Sequence, residues 1–266
     1  MRGEKGLKSP KIGLALGSGG ARGMAHVGVI KVLEEEGIIV DYIAGSSMGS
    51  LVGALYASGI GPEMLVKLGI NLKRKYWMDL TVPKMGFVSG DKIKEMVKIL
   101  THGKDIEQLN IPLSIVATDL LKGERVIFNQ GPVCDAVRAS ISIPGIFVPE
   151  EVNGRILVDG GVIDRVPISV AREMGADIVI GVDVGGMSSE VKPTTIFEVI
   201  SRSIDIMERE IFKHRVVDAD IMIRPTVDQY SATAFTQIEE LIEAGEQAAK
   251  QMLVTIKEAV QAWRIQ

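Results

Sequence analysis

Histidine and cysteine are scarce in this 266-residue sequence, which holds three of the first and one of the second. The lone Cys134 rules out a disulfide within the chain and fits a reducing compartment, where a small buried residue is its ordinary role. No His or Cys cluster has the spacing of a zinc site, and Asp218-Ala-Asp220 is too sparse for calcium, so no metal and no cofactor is expected. Aromatics make up 5% of a composition that is 46% hydrophobic, which forecasts an aliphatic core. Positive charge is not in excess either. The formal net charge is -4 and no basic stripe offsets it, which argues against general nucleic-acid binding. Long apolar runs are missing as well, because Arg22, Asp41, Asp119 and Asp159 interrupt the stretches that approach a membrane span. Arg2, Lys5, Lys8 and Lys11 precede an apolar run that ends at Leu16 in a glycine-rich turn, the wrong shape for a signal peptide. The expectation is a soluble, cytoplasmic protein, with peripheral contact at a membrane surface left open.

What the chain does contain is glycine beside short aliphatic runs. Ile12-Gly-Leu-Ala-Leu16 reads as a buried strand, and Gly17-Ser-Gly-Gly-Ala-Arg-Gly23 turns from it into a helix over 24–36 that Gly37 stops. A second strand ends at Ala44, followed by Gly45-Ser-Ser-Met-Gly49 and a small-residue helix over 48–58. This βαβα order predicts an α/β fold with a parallel sheet. Gly61-Pro62 opens another helix, and Asp91 is placed to cap one that runs through Leu100. Residues 113–118 and 125–128 read as a hairpin, a short helix covers 135–139, and Asn153-Gly154 signals a type I′ turn between strands 148–152 and 155–158. A helix over 168–174, a strand over 178–184, a long helix over 195–217, a last strand over 221–224 and a closing helix over 237–262 complete the chain.

No repeat or linker divides it, so residues 11–266 read as one domain behind a lead-in over 1–10 that has no periodicity. The pattern breaks down over 71–90. There Lys73-Arg-Lys-Tyr-Trp77, with Met85 and Phe87, reads either as an ordinary solvated loop or as a lid or lipid-surface contact. The apolar face of the closing helix, with Ile238, Leu241, Ile242 and Met252, fits a core or a partner in an oligomer.

Two turns carry the chemistry. At Gly45-Ser-Ser-Met-Gly49 a strand passes sharply into a helix, the setting of a nucleophile elbow. Such a turn strains its central residue and lifts the side chain clear of the backbone, so Gly45 and Gly49 must be small and Ser47 is the nucleophile. The pentapeptide alone is a weak signal, and its surroundings must carry it. The turn at 17–23 opens a helix, whose unpaired N–H groups suit an anion. A dinucleotide site would want glycine where Arg22 stands and a carboxylate where the second strand instead ends in the serine turn, so that reading is set aside. An oxyanion hole fits better. Neighbouring parallel strands bring both loops to one edge of the sheet, where the N–H groups of Gly19, Gly20 and Ala21 face a carbonyl attacked by Ser47, with Gly17, Arg22 and Gly23 supporting the loop.

For the base, Ser47, Asp159 and His214 follow the α/β-hydrolase order. Only one helix separates the two loops, however, where that fold has an additional strand and helix, and His214 sits inside a helical pattern. His26 and His102 read as structural. Asp159 ends a strand and is followed by Gly160 and Gly161, which permit a tight turn and close approach to another loop.

Together these three motifs, in this order, resemble the patatin-like phospholipase family, and within it the bacterial proteins similar to the catalytic domain of neuropathy target esterase. The likeness runs over about residues 11–183. It implies a three-layer α/β sandwich with a mostly parallel central sheet and helices on both faces. It also implies a serine lipid acyl hydrolase, a phospholipase, lysophospholipase or carboxylesterase, acting on an acyl ester or phospholipid without a cofactor. By the same resemblance Ser47 is the nucleophile, Asp159 its only catalytic partner and the 17–23 loop the oxyanion hole. One departure stands out: Ser18 occupies a position where the family commonly has glycine, and adds a hydroxyl near the site. Two other readings stay open. One is a regulatory or scaffold protein of the same fold, against which intact Ser47 and Asp159 argue; the other is an acyltransferase or thioesterase, which would want a histidine base.

Overall fold

The first strand sets the two faces of the sheet. In β1 (Ile12–Leu16) the large residues Ile12, Leu14 and Leu16 enter one core and Ala15 enters another, an alternation along a strand that is buried throughout. Gly13 shares the Ala15 face, where a Cβ would lie 2.7 Å from the Ala176 Cβ, so a helix can pack close on that side. The computed structural model describes residues 9–71, 75, 77–82, 84–186, 192–214, 219–233 and 235–265.

β2 (Tyr42–Ser46), β3 (Leu113–Asp119), β7 (Ile178–Val182) and β8 (Ile221–Ile223) join β1 in a parallel array ordered β3-β2-β1-β7-β8. Antiparallel strands extend it beyond β3: β4 (Glu124–Phe128), and β6 (Arg155–Asp159) followed outward by β5 (Glu150–Val152). The larger core packs α1 (Ala25–Glu35), α2 (Met48–Ala57), α3 (Pro62–Asn71), α4 (Asp91–Leu100), α5 (Val133–Ser140) and α8 (Ile238–Ile265) together. The smaller core lies under α6 (Ile168–Glu173) and Phe212 of α7 (Ile196–His214). The result is the three-layer α/β architecture expected from the sequence, with a mixed sheet whose centre is parallel.

The branch at β3 positions the site. Its first residues pair with β2, Ser46 standing opposite Val116, and its last pair with β6, Asp159 standing opposite Ala117. Because β4 pairs with residues 115–119 across both stretches, β2 and β6 must share the opposite edge in succession. The carboxyl ends of β2 and β6 therefore meet head to head.

Most predicted elements lie within a few residues of the observed ones, and both expected hairpins form. Asn153 and Gly154 have φ of 51° and 73°, as a type I′ turn requires. Asp91 does not cap α4. The cap is Gly90, at φ 84°, and Asp91 is the first helical residue, its carboxylate accepting the Ser89 hydroxyl. The face of α8 belongs to the core, since Ile238, Leu241 and Ile242 are buried there. Within 71–90, Lys73, Arg74 and Tyr76 lie outside the described residues, as do residues 1–8 of the lead-in and 215–217 of the long predicted helix. Trp77 and Val88 are buried, whereas Leu80, Val82 and Met85 are 72%, 78% and 61% exposed. Among the described residues no helix is long and apolar enough to cross a membrane.

Candidate active site

The elbow forms where β2 hands over to α2 with a single residue between them. That residue, Ser47, has φ 53° and ψ −124°, a conformation that a residue with a side chain adopts only when its surroundings enforce it. The enforcement is steric. A Cβ on Gly45 would stand 2.6 Å from the Ser50 Cα, and one on Gly49 would stand 2.1 Å from the Leu16 carbonyl oxygen. The Ser47 N–H donates to Ser140 Oγ at 2.9 Å, and that hydroxyl in turn donates to the Val116 carbonyl at 2.6 Å. Ser140 is not legible as a site residue; in the sequence it follows the short helix read over 135–139.

The head-to-head strand ends bring Asp159 to Ser47. Ser47 Oγ donates to Asp159 Oδ2 at 2.5 Å, and Oδ1 accepts the Gly161 N–H at 2.8 Å. Gly160 packs over β3, where a Cβ would lie 2.2 Å from the Val116 oxygen. Both side chains of the pair are buried. Burial, followed by the negative charge of Glu208, pushes the Asp159 carboxyl up to about 8, against the opposing pull of the Ser47 hydroxyl, the Gly161 N–H and Arg165.

In the glycine-rich loop most backbone donors are already engaged. Gly17 N–H donates to the Val182 carbonyl, Ser18 N–H to Arg165 and Ala21 N–H to Ala232, at 3.0, 2.9 and 2.8 Å. Ala21 thus cannot offer its amide to a substrate, which corrects the donor set expected from the sequence. Among the described residues the N–H groups of Gly19 and Gly20 have no acceptor, and both glycines line a small cavity with Ser47. Gly20 sits at φ 56° with the Ala232 carbonyl 2.3 Å from where its Cβ would be, and Gly23 packs against Met48 of the elbow helix.

His26 and Arg22 occupy supporting places. His26 is fully buried and its Nε2 donates to the Gly17 carbonyl at 2.8 Å; burial holds it down at about 4, so it is neutral at pH 7. His102 is exposed in the turn after α4, and His214 ends the described part of α7. The Arg22 guanidinium is buried against the Gly186 carbonyl and the Asp205 carboxylate, with Nε 3.4 Å from the Gly19 carbonyl, which makes it a brace for the loop. Cys134 is buried on α5, where burial pushes its thiol up and keeps it protonated.

Ser47 stands between two unlike chambers. One, of about 110 Å³, is lined by apolar side chains including Leu51, Trp77, Ile93, Met96, Phe147 and Phe197. The Trp77 ring rests on Phe235 at 5.0 Å, so part of the irregular 71–90 segment forms a wall of this chamber. The other, of about 30 Å³, carries the side chains of Ser18, Asp159, Ser201, Asp205 and Glu208 beside those of Ile143 and Ile204. The α7 residues of both walls escaped the sequence reading, because an amphipathic helical pattern does not say which face it buries.

Fold and site define an α/β protein built around a serine elbow faced by an aspartate. The chain belongs to the patatin-like phospholipase family, whose model matches residues 14–172. It is 40% identical over 206 residues to an uncharacterized NTE family protein of Mycobacterium tuberculosis, covering 75% of this chain and 57% of the relative. It is 30% identical over 278 residues to lysophospholipase NTE1 of Pyricularia oryzae, covering 90% of this chain and 18% of that protein. The chain therefore spans little more than half the length of the first relative and under a fifth of the second. In fold it is similar to VipD from Legionella pneumophila, with a TM-score of 0.67 at 15% identity over 93% of this chain and 67% of that one. It is also similar to the type III effector protein ExoU, with a TM-score of 0.54 at 15% identity over 97% and 54%.

Proposed function

We propose that this chain is a serine lipid acyl hydrolase working through a Ser47–Asp159 dyad. The observation that carries the reading is the 2.5 Å hydrogen bond from Ser47 Oγ to a buried carboxylate at a strained elbow. As Oγ attacks the ester carbonyl, Asp159 takes its proton, and the N–H groups of Gly19 and Gly20 hold the oxyanion. Collapse of the tetrahedral intermediate breaks the bond to the alcohol, which leaves with the proton from Asp159. Water then gives a proton to the same carboxylate as it attacks the acyl-serine, and collapse breaks the bond to Oγ, which takes the proton back from Asp159 as the acid is released. A carboxylate at its ordinary pKa near 3.9 is a poor base for this task. Burial of Asp159 supplies what is needed, and among the described residues the Ser47 hydroxyl has Asp159 as its partner while His26 Nε2 is held by the Gly17 carbonyl.

The two chambers support an acyl ester as substrate. The apolar one suits the acyl chain, and the smaller one, with its carboxylates, adjoins the nucleophile and its base. Lysophospholipase NTE1 among the relatives favours a lipid ester. Residues 71–90 act as lid and membrane-surface contact in this reading, and the outward face of α7 extends it. Leu80, Val82 and Met85 are exposed near Trp77, and Ile196, Val199, Ile206 and Met207 are exposed on the helix whose Phe197 lines the chamber. The protein then works from the cytoplasm at a lipid surface.

Purified wild type and Ser47→Ala are compared on a panel of acyl esters and phospholipids. Release of acid by wild type, lost in Ser47→Ala, is the expected result. Equal release by both, or no labelling of wild type by a fluorophosphonate probe, would sink the catalytic reading and favour a scaffold. Transfer of the acyl group to an added carrier in place of water would favour an acyltransferase.

A further inference from the structure

Helix α7 turns two acidic side chains toward the site, one turn apart. Asp205 is engaged by Arg22. Glu208 has no part in the mechanism above, yet its carboxylate is buried 190 residues from the loop it touches. Its Oε2 accepts the Ser18 hydroxyl at 2.8 Å and Arg165 Nη1 at 2.9 Å. Its Oε1 lies against Gly161, where a Cβ would be 2.5 Å from that oxygen and 2.6 Å from Ser18 Oγ. Gly161 is also the residue whose N–H holds Asp159. Glu208, Ser18 and Asp159 line the same small chamber beside Ser47.

A second carboxylate thus stands directly behind the base, in a dry setting where charges act on one another strongly. The other groups around them are Ser47 from the elbow, Ser18 and Arg22 from the glycine loop, Arg165 from the turn after β6, Asp205 from α7 and Asp183 beyond β7. Arg165 pairs with Glu208 and, at 3.3 Å, with Asp183, while Arg22 pairs with Asp205. Four carboxylates therefore face two guanidiniums, an excess of acid that favours retention of a proton; burial and this excess together raise Glu208 as well as Asp159.

We infer that Glu208 is a positioning residue for the dyad: through Ser18 it fixes the oxyanion loop, and through its charge behind Gly161 it keeps Asp159 basic enough to accept the serine proton. The inference rests on the dyad reading and adds to it a role for the unusual Ser18, since glycine there would remove a hydrogen-bond donor from Glu208. Burial and Glu208, in that order, are the two influences that raise Asp159.

The test is the pH profile of kcat/KM for a short-chain ester in wild type, Glu208→Gln and Ser18→Ala, with Ser47→Ala and Asp159→Asn alongside. Glu208→Gln keeps the shape and an acceptor for Ser18 but removes the charge. Its rising limb should move to lower pH by about one unit, and its plateau should fall about 3- to 10-fold because the base is weaker. Ser18→Ala keeps the charge, so its limb should stay in place while its plateau falls. A wild-type limb and plateau in Glu208→Gln overturn the inference. Should that variant not fold, a wild-type plateau in Ser18→Ala overturns it equally. If Ser47→Ala or Asp159→Asn keeps wild-type turnover, the dyad itself is wrong; if both fall by about 10²-fold or more and Glu208→Gln is unchanged, only Glu208 loses its role.

Discussion

The two halves of the proposed dyad are built in different ways. The nucleophile's side is local: β1, the glycine loop, α1, β2, the elbow and α2 follow one another as one βαβα unit, and the strain at Ser47 comes from small residues two positions either side of it. The base's side is assembled from afar. Asp159 lies 112 residues beyond Ser47, Ser140 reaches the Ser47 N–H across 93, and Glu208 meets Ser18 across 190. The comparison teaches that the geometry of the nucleophile is a backbone property of one unit, whereas the basicity of its partner is a property of tertiary packing. The first is set by sterics and the second by burial and charge.

The sharpest way to test that division is to remove each half in turn. Ser47→Ala should abolish esterase turnover, by 10³-fold or more, with the melting temperature within a few degrees of wild type. Asp159→Asn should lower turnover by about 10²- to 10⁴-fold and, unlike Ser47→Ala, make the protein more stable at high pH. The sign follows from linkage. Asp159 binds its proton more tightly folded, at about 8, than unfolded, near its ordinary 3.8, so its contribution is fully present below about pH 4 and is lost as pH rises through 8. The gain in Tm from Asp159→Asn should accordingly be larger at pH 9 than at pH 5, and equal gains would contradict the burial account.

A steric attack on the local half comes next. Gly49→Ala places a Cβ against the Leu16 carbonyl, and should destabilise the fold by several degrees while reducing fluorophosphonate labelling about tenfold or more. A variant with wild-type Tm and labelling would show that the elbow tolerates what its packing forbids. Filling the apolar chamber with Met96→Trp should raise KM for long-chain esters about tenfold and leave short-chain esters nearly untouched. The smallest effect is expected at the exposed His102, where His102→Ala should stay within about twofold of wild type in kcat/KM.

How much could be read in advance follows the same division. The elbow, the loop, the parallel core and both hairpins are legible because each is a short-range pattern: alternating burial, a turn dipeptide, glycines around a serine. Ala21 misled because the sequence cannot say which of a loop's amides are taken by a distant carbonyl, here Ala232. Glu208 stayed hidden because a helix with apolar and acidic faces ordinarily buries the apolar one. On α7 Ser201, Asp205 and Glu208 line the site while Ile196, Val199 and Met207 face outward. Asp91 failed as a cap because Gly90, at positive φ, already ends the preceding loop.

The most direct measurement is the rate of fluorophosphonate labelling at Ser47 from pH 5 to 10, in wild type, Asp159→Asn and His26→Gln. A dyad predicts one ionisation centred near pH 8 in wild type, retained in His26→Gln and absent, with the rate, in Asp159→Asn. A rising limb near pH 6.5 that disappears in a histidine variant, or labelling of Asp159→Asn at the wild-type rate, would contradict it.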